Sequence, residues 1–179
     1  DLATHRQGVW AGYSMGGRLA LSIALQRPDA VRALALLSTN PGIEDAGERA
    51  ARRRSDEELA EFVESAGSER FFDRWLAQPT FDGLDRSLAR RYRQSSPLEL
   101  ARQLRILGQG AQAPMWDRLG DLSMPVIIMA GEKDEKYTAI AHRTVATIGP
   151  SAALHIVPGA GHALLQEAPM AVAAILSTL

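Results

Sequence analysis

The chain contains no cysteine in 179 residues. Disulfides, thiolate metal sites and a cysteine nucleophile are excluded, and a reducing compartment, the cytoplasm, fits that composition. Net charge is also nearly missing, at a formal −1. No electrostatic footprint points to nucleic acid or to an anionic membrane. No apolar run approaches the roughly 18 residues of a membrane-spanning helix. No cluster of histidines and carboxylates has metal-ligand spacing, and no phosphate-binding loop follows a strand. Neither a metal nor an organic cofactor is therefore expected. Lysine is scarce: Lys133 and Lys136 stand against an otherwise all-arginine cationic set, a bias that GC-rich coding mostly explains. There is no internal repeat and no low-complexity segment, and nothing in the pattern sets an oligomeric state.

What is present is ordinary in bulk and specific in detail. Hydrophobic residues make up 46% and charged residues 23%, enough for one domain with a real core. The specific part is Gly12-Tyr13-Ser14-Met15-Gly16. It follows the apolar run Gly8-Val9-Trp10-Ala11 and precedes a helical pattern in which Leu19, Ala20, Ile23 and Ala24 recur. Strand, Gly-x-Ser-x-Gly, helix is the order of a nucleophile elbow. The flanking glycines, Gly12 and Gly16, are expected to keep side chains out of a crowded turn. The helix that begins there aims its N–H groups at an oxyanion beside the serine. Such a turn normally follows several strands, whereas here it follows Asp1 almost at once. The expectation is the C-terminal portion of a longer protein, inactive alone for want of the first strands and of a second oxyanion donor.

Down the chain, Gly8 to Tyr13 reads as a buried strand and Val31 to Leu37 as a second, parallel to it across a helical crossover. Glu44 to Leu107 is charged, arginine-rich and helical in pattern. Helical stretches are expected at Asp56 to Phe62, around Phe71, Phe72, Trp75 and Leu76, at Leu84 to Tyr92 and at Pro97 to Leu107. Pro125 to Gly131 is a fully apolar strand, Tyr137 to Ile148 a helix, Ala153 to Val157 a strand, and Ala168 to the end a helix. Strands alternating with helices predict a doubly wound parallel sheet. The division expected is core over 1–43, an inserted helical cap over 44–120, and core again over 121–179.

Sites in such sheets form at the carboxyl ends of the strands. Ser14, Asp134 and His162 fall there, after the first, third and fourth strands. His162 can take the serine proton through Nε2, and Asp134 can hold the other ring nitrogen. Taken alone, Asp134 reads by default as a solvated loop carboxylate, with Glu135 as the rival acid, and it is the joint placement of the three at strand ends that favours the triad. His5, His142 and His155 are poorer histidines by position. Arg18 lies one helical turn beyond Ser14 and is open between a carboxylate-binding arginine and a surface one. Arg49, Arg52, Arg53 and Arg54 read by default as a solvated helix face, the alternative being a lid that closes on substrate. Trp75, in an apolar stripe, reads as core packing.

The order Ser, Asp, His resembles that of the α/β-hydrolase fold. Within that fold, Gly-Tyr-Ser-Met-Gly-Gly-Arg at 12–18, Asn-Pro-Gly-Ile at 40–43 and Glu-Arg-Ala-Ala-Arg-Arg-Arg-Ser-Asp at 48–56 are similar to one group. So are Phe-Asp-Arg-Trp-Leu-Ala-Gln-Pro at 72–79, Gly-Glu-Lys-Asp-Glu-Lys-Tyr at 131–137 and Gly-Ala-Gly-His at 159–162. The group is the menaquinone-pathway synthases of 2-succinyl-6-hydroxy-2,4-cyclohexadiene-1-carboxylate (SHCHC). The resemblance implies a lyase that eliminates pyruvate from an enolpyruvyl cyclohexene carboxylate. The triad then serves as a base, and the partner is a small anionic substrate. It further implies Tyr13, Met15, Arg18, Arg52, Trp75 and Arg93 as substrate-binding residues. The triad alone fits a serine esterase or C–C hydrolase equally well.

Overall fold

In the computed structural model, which describes residues 7–78, 81, 84 and 96–179, four strands run parallel in the order β1-β2-β3-β4. They are β1 (Gly8–Tyr13), β2 (Val31–Leu37), β3 (Val126–Gly131) and β4 (Ala152–Val157). Helix α1 (Met15–Gln26) joins β1 to β2, and α4 (Glu135–Ile148) joins β3 to β4. After β4 come a short α5 (Leu164–Glu167) and α6 (Pro169–Leu176). Between β2 and β3 the chain makes α2 (Ala46–Trp75) and α3 (Pro97–Leu107). Contacts divide it into two compact units. One comprises residues up to Pro41 with Met115–Leu179; the other is Gly42–Pro114.

The sheet is covered on both faces, which is why its central strands read as unbroken apolar runs. Leu34, Leu36, Val126, Ile128 and Ala130 pack with Ala20, Leu21 and Ala24 of α1 and with Tyr137, Ala141 and Ile148 of α4. Ala35, Leu37, Ile127 and Met129 face the other way, onto Val157, Leu164 and Val172. Successive residues of one strand thus serve opposite layers. The register pairs Leu36 with Ile128 and Ile128 with Leu154, so the carboxyl ends of β2, β3 and β4 come level.

Several expectations change. β1 is not buried: among the described residues it pairs only with β2, and Val9 is 43% exposed. An apolar run signals a strand but does not say how many neighbours it has. α4 starts two residues before the expected Tyr137, because the Asp134 carboxylate accepts from the Tyr137 N–H at 3.3 Å and caps it. The expected last helix is α6, which starts at Pro169, and a short helix not expected from the sequence, α5, precedes it and is parted from it at Ala168. β4 begins at Ala152.

In the second unit, Asp45 caps α2 by accepting from Glu48 N–H at 2.7 Å. Gly67 breaks α2 with φ 85° and ψ 164°. Ala60, Val63 and Phe71 of α2 pack with Ala101 of α3. Arg105 of α3 binds Glu64 at 2.5 Å and Glu57 at 2.8 Å. Those two carboxylates, Glu64 foremost, raise the arginine's pKa further. The expected helix at Leu84 to Tyr92 lies outside the described residues but for Leu84. Among the described residues, no helix is long and apolar enough to cross a membrane.

Candidate active site

Ser14 stands between β1 and α1 with φ 49° and ψ −110°. That backbone region costs a non-glycine residue about 1–3 kcal/mol and is held only by its surroundings. Here Ser14 N–H donates to the Leu37 carbonyl at 2.8 Å, and Arg18 N–H donates to the Ser14 carbonyl at 3.2 Å. Close approach of backbone makes the turn possible. A Cβ on Gly12 would strike the backbone of Gly16 and Gly17, and one on Gly17 would strike the Thr39 side chain. Gly16, expected to be the second crowded glycine, faces open space. One step along α1 rotates the next residue by about 100°, and it is Gly17 that meets the end of β2. Met15 is the first residue of α1, so its N–H belongs to the set at a helix start that has no intrahelical acceptor.

His162 follows β4 in a loop that passes over the end of β3. Its ring is 6% exposed as a residue, with Tyr137 at 4.4 Å and Tyr13 at 5.4 Å between ring centres. Its Nδ1–H donates to Asp134 Oδ2 at 2.6 Å. That bond fixes the tautomer, leaving Nε2 as an acceptor. Ser14 Oγ–H donates to Nε2 at 3.3 Å, a length that tightens in a reacting complex. Asp134 therefore has two tasks, since its Oδ1 caps α4 while Oδ2 holds the imidazole. The rival Glu135 is the exposed first residue of α4. His142 lies within α4 and His155 along β4, while His5 lies outside the described residues. The Tyr13 phenol is pushed well above its usual pKa, by burial first and then by Tyr137, Asp134 and Glu167, so it stays protonated at neutral pH.

The remaining candidates sort by environment. Arg18 is 8% exposed, so the surface reading fails: a guanidinium is buried one turn from Ser14. In the second unit, the arginine run divides. Arg49 donates to the carbonyls of Ile43 and Glu44. Arg52 donates through Nε to Asp56 at 2.8 Å and through Nη1 to Gln109 at 3.0 Å. Asp56 is 4% exposed and also accepts from Gly110 N–H at 3.3 Å. Arg53 borders a cavity of about 260 Å³ with Glu57 and Leu104, and Arg54 is exposed. Trp75 stacks on Phe71 at 5.7 Å and leans on Phe81 at 5.8 Å. Arg93 lies outside the described residues.

Three further side chains around His162 are not among the site residues that the sequence points to. The Ser38 hydroxyl donates to the His162 carbonyl at 3.3 Å. Glu132 accepts from Gly159 N–H at 2.8 Å, and Glu167 accepts from Gly161 N–H at 2.8 Å and Ala163 N–H at 3.1 Å. A glutamate a few residues beyond a loop histidine was the available signal for Glu167. Among the described residues, no group of three or more histidines and carboxylates could hold a metal ion.

A family described as alpha/beta hydrolases matches residues 1–175. A Bacillus subtilis protein, named provisionally as a 2-succinyl-6-hydroxy-2,4-cyclohexadiene-1-carboxylate synthase, is 40% identical over 93% of this chain and 63% of its own. A Klebsiella pneumoniae protein that carries the synthase name outright is 34% identical over 94% of this chain and 66% of its own. The structure of MenH from S. aureus superposes with a TM-score of 0.88 at 31% identity, over 94% of this chain and 65% of that one. The chain thus spans just under two thirds of the length of these relatives. An esterase from Thermogutta terrifontis superposes at 0.75 with 22% identity, over 94% of this chain and 62% of that one, a likeness of fold alone.

Proposed function

The chain belongs to the alpha/beta hydrolase family, and from that premise we propose that it carries the reaction centre of an SHCHC synthase. The reaction is the elimination of pyruvate from an enolpyruvyl cyclohexene carboxylate. The observation that carries this reading is the 40% and 34% identity to proteins of that name across nearly the whole chain, second unit included.

The side chains support it chemically. Ser14 passes its proton to His162 Nε2, and Asp134 stabilises the imidazolium that results. Ser14 Oγ then takes a proton from the substrate ring. The electron pair moves through the ring and breaks the bond from ring carbon to the enolpyruvyl oxygen, and the departing enolpyruvate takes up one proton, balancing the one held by His162, to become pyruvate. No acyl-enzyme forms. Met15 N–H at the start of α1 faces developing negative charge, as a helix N-terminus does. Arg18 is the carboxylate partner nearest the reacting serine, and Tyr13 packs beneath the histidine. Arg52 is the second carboxylate ligand, its guanidinium oriented in advance by Asp56 and Gln109, which removes part of the ordering cost of binding. Trp75 and Arg93 complete the proposed contacts. The substrate is a small polyanion, and we place the protein in the cytoplasm.

The test is pyruvate release from the enolpyruvyl substrate by the full-length protein, beside hydrolysis of a p-nitrophenyl ester. Pyruvate release that disappears in Ser14→Ala is expected. Rapid ester cleavage with no pyruvate would make the protein a serine hydrolase of the same fold.

A further inference from the structure

The loop carrying His162 is held at more points than its backbone can supply alone. Glu167 reaches back from the end of α5 and accepts two N–H groups, one on each side of the histidine: Gly161 N–H on Oε2 and Ala163 N–H on Oε1. The His162 carbonyl between them accepts from Ser38 Oγ at 3.3 Å and from Leu164 N–H at 2.9 Å. Upstream, Glu132 holds Gly159 N–H, and the Ala160 carbonyl accepts from Lys133 N–H at 2.9 Å. One carboxylate thus holds the Ala160–Gly161 peptide and the His162–Ala163 peptide, on either side of the histidine. The rings of Tyr13 and Tyr137 pack against the imidazole itself.

We propose that Glu167 is a positioning residue for His162, holding the loop so that Nε2 stays in line with Ser14 while Nδ1–H stays on Asp134. The Ser14 to His162 separation of 3.3 Å sits at the long end of a hydrogen bond, where a small shift of the loop breaks it. A glutamine cannot replace the glutamate. Each oxygen of Glu167 takes a separate N–H, and an amide offers one oxygen and turns its NH₂ on the other donor. The proposal rests on the triad geometry and is independent of the identity of the substrate.

The test is low-field proton NMR of the chain. The His162 Nδ1–H signal is assigned by its loss in His162→Ala. In Glu167→Gln it is expected to exchange with solvent about tenfold faster, the factor for losing one charge-assisted hydrogen bond, while methyl signals stay dispersed. Gly161→Ala is a second route. Its Cβ would sit 3.2 Å and 3.3 Å from the two Glu167 oxygens and push the carboxylate away without removing its charge. The same acceleration is expected there. An unchanged exchange rate in both variants overturns the proposal. So does absence of the signal from the unsubstituted chain, and so does a change that comes only with loss of methyl dispersion in both variants, which would make Glu167 a fold determinant. In the full-length protein the proposal requires kcat of Glu167→Gln to fall about tenfold with KM unchanged, and a rise in KM alone contradicts it.

Discussion

Replacing Asp134 by asparagine is the most informative single change, because the structure dictates how the new amide must sit. Oδ1 of Asp134 accepts from Tyr137 N–H at the start of α4, and Oδ2 accepts from His162 Nδ1–H. Tyr137 N–H still needs an acceptor in Asp134→Asn, so the amide oxygen takes that side. The NH₂ is left facing Nδ1. Two donors cannot share the contact, so the imidazole changes tautomer: Nδ1 becomes the acceptor and the proton moves to Nε2. Nε2 then donates to Ser14 Oγ and can no longer take its proton. In a serine triad this inversion lowers kcat by about 10⁴, or about 5.5 kcal/mol of barrier. The helix cap survives, so stability should change by no more than about 1 kcal/mol. Two assays apply. Pyruvate release reads the rate in the full-length protein. Nitrogen NMR of the histidine ring reads which nitrogen bears the proton, with no substrate needed. A ring still protonated at Nδ1 in the variant, or a rate within tenfold of the original, would refute the reasoning.

Three further outcomes are expected. Gly17→Ala should destabilise the chain by about 2 kcal/mol or more, since its Cβ would overlap the Thr39 side chain, while Gly16→Ala should stay within about 0.5 kcal/mol; equal losses in urea unfolding would contradict the elbow geometry. Ser14→Gly should abolish activity yet raise the unfolding free energy by about 1 kcal/mol, the strain at φ 49° less the entropy of a glycine; a lower melting temperature would count against stored strain. The Tyr13 phenol has its pKa raised in the fold from 10.0, so its stabilising contribution is complete below pH 10 and is lost as pH climbs further. Unfolding free energy should therefore fall above pH 10, and Tyr13→Phe should flatten that fall; an unaltered slope would deny the burial of the phenol.

Some of this was legible in the residues, and the limits have physical causes. The apolar runs of β2 and β3 announced buried parallel strands because both faces of each are covered. The Gly-x-Ser-x-Gly stretch announced the elbow because few residues tolerate such a turn. The burial of Arg18 was not legible, since spacing along a helix fixes direction and not what lies opposite. Asp134 and Glu135 were ambiguous because the start of α4 decides between them, and helix starts shift by a residue or two without altering periodicity. β1 looked buried because an apolar run does not record how many strands pair with it. Ser38, Glu132 and Glu167 escaped notice because each acts through backbone groups of another segment, which leave no pattern in composition.

The separation of the triad along the chain bears on how the protein acquires its structure. Ser14 and His162 are 148 residues apart in sequence, and the whole of α2 and α3 lies between β2 and its partner β3. Closing so long a loop sacrifices chain entropy before any contact rewards it, and it makes parallel pairing slow. The helices, built from local contacts, can form well before the serine and histidine meet. During refolding, far-ultraviolet circular dichroism should therefore recover ahead of the His162 low-field proton. The hydrogen bond that defines the reaction centre would then mark the completion of folding, and a chain caught part-way would be helical, compact and chemically inert.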